Sequence, residues 1–149
     1  MRKEREQSIV AQAEEIGEMV DGLIKRMSFP GREVEILTAG LKKKAAFLVY
    51  NIRQSLSTIQ YTLCRRYLLK ALSDLYALSY YNYVSRRVGC FSSGPYLSLA
   101  HKLEELKKRI QFLDKALRMK EGTRPRPFLP PRDGLEEKTS ISLEPGRGG

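Results

Sequence analysis

One histidine, two cysteines and no tryptophan occur in 149 residues, and each scarcity removes a class of chemistry. His101 stands alone, and Cys64 and Cys90 are far apart in the chain. A structural zinc site, an iron–sulfur cluster or a disulfide framework would need ligands that the chain does not group. The two thiols therefore read as small buried hydrophobes, and His101 as a structural or surface residue. The longest continuous apolar run is Ala45 to Tyr50, far short of the ~20 residues that cross a bilayer. Acids are scattered through residues 1–27, so no signal peptide is expected there. No Gly-rich phosphate loop, HExxH pair, nucleophile elbow or paired catalytic carboxylates can be found. These absences predict a reduced, cytoplasmic, non-enzymatic protein with no cofactor, no metal and no membrane partner.

What the chain has is helical periodicity and positive charge. Hydrophobic residues make up 42%, enough to bury a core. Ile9, Ala13, Ile16, Val20, Leu23 and Met27 recur every three or four residues and share one helix face. Ser28-Phe29-Pro30-Gly31 supplies turn chemistry, because proline disfavours helical geometry in the residue before it. A second helix is predicted over 33–59, with Val34, Leu37, Leu41, Ala45, Leu48, Ile52 and Ile59 on one stripe and Phe47, Val49 and Tyr50 beside it. That apolar surface is wider than one helix–helix seam requires, which marks Phe47 and Tyr50 as a candidate oligomer interface. A third helix is predicted over 61–88, carrying Leu68, Ala71, Leu72, Leu75 and Leu78, with Tyr76, Tyr80, Tyr81 and Tyr83 around its other faces. Ser55 to Thr58 is the only break between these two helices, and it holds neither glycine nor proline.

Gly89 to Pro95 reads as a loop, with a glycine for the preceding helix end, serines to cap and a proline for the next first turn. Tyr96, Leu99, Leu103, Leu106, Ile110, Leu113 and Leu117 then alternate spacings of three and four, the pattern of a left-handed bundle seam. Residues 121–149 contain five of the seven prolines and are predicted to be a disordered tail. The fold expected is all-α: an up-down-up-down antiparallel four-helix bundle over 1–120, followed by that tail.

The chain carries 27 Lys+Arg against 17 Asp+Glu, a formal charge of +10. The tail is balanced and the first helix slightly acidic, so the excess belongs to helices two to four. It clusters as Lys42-Lys43-Lys44, Arg53, Arg65-Arg66, Arg86-Arg87 and Lys107-Lys108-Arg109. Guanidinium groups donate in pairs to phosphate, and a polyanion such as RNA or DNA exploits many separated cations through counterion release. These eleven residues are the candidate nucleic-acid contacts, and the tyrosines are candidate stacking or interface groups. Each lysine run can equally be a solvated face, and arginines near a helix end can serve the macrodipole.

The stretches LIKRMSFPGREVEILTAGLKKKAAFLVYNI (23–52) and RRYLLKALSDLYALSYYNYVSRRVGCFSSGPYLSLAHKLEELKKRIQFLDKAL (65–117) resemble a family of small four-helix bundle proteins. Its members are encoded in ribosomal RNA intervening sequences or serve as accessory variability determinant proteins of diversity-generating retroelements. The resemblance implies a barrel-shaped homopentamer with a basic surface. In the accessory branch it implies partnership with a reverse transcriptase and its template RNA in mutagenic retrohoming. Bulky Phe47-Leu48-Val49-Tyr50 replaces the small-residue and proline run of the intervening-sequence branch, and with the basicity this points to the accessory branch. The alternative is a structural or protein-interaction bundle of the intervening-sequence type with no nucleic-acid role.

Overall fold

The computed structural model describes residues 7–27 and 31–123. These form four helices, α1 (Ile9–Arg26), α2 (Arg32–Leu56), α3 (Tyr61–Arg87) and α4 (Ser93–Thr123), and no strand occurs among the described residues. Each helix packs on its neighbours in a closed cycle, α1 on α2, α2 on α3, α3 on α4 and α4 on α1, with no approach across either diagonal. With short connections, this is an antiparallel up-down-up-down four-helix bundle, as the spacing predicts.

The expected stripes form the core. Ile16, Val20, Leu41, Leu48, Ile52, Leu78, Leu99, Leu106 and Ile110 have 0% exposure, so truncating any of the leucines to alanine should cost about 2–5 kcal/mol. Ser8 caps α1, its Oγ accepting the Ala11 N–H at 3.0 Å. The end of α3 is a Schellman turn. Cys90 N–H donates to Ser85 O at 2.8 Å and Gly89 N–H to Arg86 O at 3.1 Å, while Gly89 takes φ +87°, a conformation that glycine adopts without a Cβ penalty.

Two boundaries differ from the sequence expectation. Helix α2 stops at Leu56, and Ile59, expected on its apolar stripe, is 94% exposed. The serines explain the stop: Ser55 Oγ donates to Ile52 O at 2.7 Å and Ser57 Oγ to Gln54 O at 3.0 Å. Hydroxyls that bond to the preceding turn in this way compete with continuation of the helix. Helix α4 runs past Lys120 to Thr123, because Glu121, assigned to the tail from sequence, is tied to α3 through Thr62 and Arg65. The rest of the expected tail, 124–149, and the turn residues 28–30 lie outside the described residues.

Helix α1 has 18 residues against 31 in α4, roughly 27 Å against 46 Å at 1.5 Å per residue. Arg109 of α4 bonds Gln12 and the Gln7 carbonyl, so α1 begins beside it. Beyond that level, among the described residues, α4 packs on α3 alone, and Leu113 and Leu117 are only half-buried despite continuing the seam.

Candidate nucleic-acid interface

Packing divides the candidate cations into two groups that the sequence could not separate. Several are bonded to other groups of the chain. Arg53 pairs with Glu14 of α1. Arg65 Nε donates to Asp114 Oδ1 at 2.8 Å and its Nη1 lies 3.6 Å from Glu121 Oε1, contacts that strengthen its hold on the proton, the Asp114 bond foremost. Arg109 Nη1 donates to Gln12 Oε1 at 2.6 Å. Arg86 donates to Ser93 Oγ from Nε (3.3 Å) and Nη2 (2.9 Å), bracing the turn into α4. Lys107 pairs with Glu104 at 2.9 Å, which raises its pKa.

Lys42, Lys43, Arg66, Arg87 and Lys108 are exposed, and none has a carboxylate within salt-bridge distance among the described residues. All but Lys108 lie on α2 and α3. From Ile36 to Leu103 the chain holds ten Lys or Arg and one acid, Asp74, and that acid is buried. The exposed carboxylates of the α2–α3 pair are therefore confined to the first turn of α2, at Glu33 and Glu35. By contrast a groove of about 530 Å³ between α1 and α4 mixes both signs, being lined by Glu18, Arg26 and Glu15, the last paired with Lys102 at 3.2 Å.

Aromatic rings are interleaved with these cations. Lys43 and Lys44 Nζ lie 5.8 Å and 5.7 Å from the Phe47 ring centre, Lys70 Nζ 5.1 Å from Tyr67, and the Arg87 guanidinium 5.9 Å from Tyr83. All four pairs fall within cation–π range. Phe47 and Tyr50 are exposed, as are Leu69, Tyr76, Tyr80 and Tyr83 along one side of α3. Tyr81 differs from these tyrosines, since its ring turns inward to cover Gly40.

Between α2 and α3 a cleft of about 330 Å³ is lined by Phe47, Tyr50, Asn51, Lys70, Ser73 and Asp74. Its buried polar pair is Asn51 Nδ2, donating to Asp74 Oδ2 at 2.8 Å. Lys44 Nζ is 4.0 Å from Asp74 Oδ1. Burial raises the Asp74 pKa, opposed by the Asn51 bond and the Lys44 charge. Neither Asn51, Lys70 nor Asp74 stands out in the sequence; a lone acid on the core side of α3, three residues after Ala71 and one before Leu75, is the available signal.

His101 pairs with Glu105, at 3.1 Å on the surface. Burial raises the pKa of both Cys64 and Cys90, with the Asp114 charge adding to it at Cys64, so neither is an activated thiolate. Among the described residues no group of His, Cys, Asp and Glu is arranged to hold a metal ion, and no helix is long and apolar enough to cross a membrane. No family model matches the chain, and no curated protein matches it either.

Proposed function

We propose that this protein is a non-enzymatic nucleic-acid-binding bundle whose contact surface is the outer face of α2 and α3. The observation that carries the reading is the face of α2 and α3 beyond the first turn of α2, where the one acid is the buried Asp74, with Lys42, Lys43, Arg66 and Arg87 exposed and unpaired among the described residues and aromatic rings between them. Exposed cations retain their full attraction for phosphate, whereas one already bonded to a carboxylate must give that up first. The interface is accordingly smaller than the eleven cations expected from sequence. Arg53, Arg65 and Arg109 serve the bundle instead.

Self-association fits the same reading, because n copies multiply the positive surface and weak phosphate contacts then reinforce one another. The exposed side of α3 with Leu69, Tyr76, Tyr80 and Tyr83 is an apolar surface for it that leaves the cleft lined by Phe47 and Tyr50 open. On the family resemblance the assembly is a homopentamer and the polymerase partner a diversity-generating reverse transcriptase acting on its template RNA.

The test is titration of the full chain into labelled RNA and DNA at low and rising salt. Binding that weakens steeply, with a log–log slope reporting several neutralised phosphates, is expected. No binding of either nucleic acid at low salt would refute the function and leave the protein-interaction bundle.

A further inference from the structure

We propose that the cleft between α2 and α3 is a guanine-binding pocket for single-stranded nucleic acid, with Asp74 and Asn51 as its floor, Phe47 and Tyr50 as its stacking walls and Lys43, Lys44 and Lys70 as its phosphate rim. This rests on the nucleic-acid reading above and adds a base preference to it.

The floor is built and incompletely satisfied. Asp74 and Asn51 are only 5% and 8% exposed, yet both line the cleft. The Asn51 amide occupies one lone pair of Oδ2 at 2.8 Å, while the nearest cation to Oδ1 is Lys44 Nζ at 4.0 Å, longer than a hydrogen bond. A carboxylate accepts about four hydrogen bonds, so acceptor capacity remains on both oxygens. The raised Asp74 pKa agrees with a negative charge that its neighbours under-compensate.

The surroundings restrict the occupant. An arginine or lysine side chain would satisfy Asp74 but meet the ammonium groups of Lys43, Lys44 and Lys70. An apolar side chain would cover the carboxylate without bonding it, which is costly. What fits is a group with donors on one edge, a flat π-face for Phe47 and Tyr50, and negative charge for the rim. A nucleotide has all three, and among the bases guanine matches the floor. Its N1–H and N2–H are adjacent, parallel donors that a carboxylate accepts together. The amino groups of adenine and cytosine each sit beside a ring-nitrogen acceptor, and uracil N3–H lies between two carbonyls, so each of those brings an acceptor against Asp74. Single strands expose these edges and allow stacking on aromatic side chains. RNA and DNA share the guanine edge, so the sugar is left to the experiment.

The experiment is fluorescence anisotropy with the full chain and short single strands, made as RNA and as DNA, carrying guanine, inosine or adenine at the same positions. Guanine should bind about tenfold or more tighter than adenine, and inosine, which keeps N1–H but lacks the N2 amino group, should fall between them. Asp74→Asn, nearly isosteric, should abolish the preference and leave the salt slope unchanged, with helicity followed by circular dichroism. Equal affinity for guanine and adenine, or a preference that survives Asp74→Asn, overturns the pocket. If Phe47→Ala and Tyr50→Ala lower the sedimenting mass without weakening guanine binding, the cleft is a contact for a second copy and the proposal also fails. Strong, salt-dependent but base-blind binding removes the pocket alone, whereas absence of binding removes the nucleic-acid reading with it.

Discussion

Substituting alanine for glycine inside a helix ordinarily stabilises it by about 1 kcal/mol, and this protein offers the same change in two opposite settings. At Gly40, in the middle of α2, an added Cβ would stand 2.5 Å from Tyr81 Cζ and 2.8 Å from both Tyr81 Cε atoms. Carbon contacts are comfortable at about 3.5–4.0 Å, so the ring must retreat by roughly 1 Å. Tyr81 is packed against the core and meets Tyr80 edge-on at 5.8 Å, which limits where it can go. Overpacking of this kind costs about 1–3 kcal/mol. Set against the propensity gain, Gly40→Ala should destabilise by about 1 kcal/mol, a drop of roughly 3–6 °C in Tm for a chain of this size. At Gly17 and Gly22 nothing lies within 4 Å of the added Cβ, so alanine there should raise Tm. Thermal unfolding of the three variants followed by circular dichroism is the assay. A Tyr81→Ala background should convert Gly40→Ala from destabilising to neutral or stabilising, which a double-mutant cycle measures. If Gly40→Ala raises Tm as Gly17→Ala does, the close α2–α3 crossing that shapes the proposed interface is wrong.

Adjacent arginines should behave in opposite ways. Arg65→Gln breaks the Asp114 bond and should cost about 1–3 kcal/mol, while Arg66→Gln should leave Tm within about 0.5 kcal/mol of the parent and weaken nucleic-acid binding; equal effects on stability would refute the division into held and exposed cations. Asp74 gives a pH dependence whose sign follows from its raised folded-state pKa. Its contribution is fully present below the unfolded carboxylate value and is lost as pH rises through the folded one, because ionisation of the buried group costs the folded state more than the unfolded one. Asp74→Asn should therefore be at least as stable as the parent at pH 7, with that difference changing across the acid range, and a marked loss of Tm at pH 7 would contradict this. Gly89→Ala places a Cβ at φ +87° and should cost about 1–2 kcal/mol, measurable in urea; an unchanged midpoint would mean that the Schellman turn is not needed.

The bundle was legible because its seams are regular. The three-four spacing of Leu99, Leu103, Leu106 and Ile110 corresponds to residues at 2% exposure or less, and Gly89 announced its turn by residue type. The α2–α3 junction was harder, since serine hydroxyls bonding back to Ile52 and Gln54 end α2, a weaker signal than glycine or proline. The candidate interface was legible in type and not in membership. That Lys42 and Arg66 are unpaired among the described residues while Arg53 and Arg65 are bonded depends on Glu14 and Asp114, 39 and 49 residues away, and that pairing is set by helix register. The Asn51–Asp74 pair was hidden for the same reason: each is an ordinary polar residue until α2 and α3 bring them together.

The central claim is that the unpaired cations of the α2–α3 face bind nucleic acid while those already bonded to other groups of the chain do not. Its most direct test is the salt dependence of RNA affinity for the parent, for Lys42→Gln/Lys43→Gln/Arg66→Gln and for Arg53→Gln. Loss of three phosphate contacts on a single strand should flatten the log–log slope by about two, with the slope of Arg53→Gln unchanged. Identical slopes for the parent and the triple variant would contradict the account.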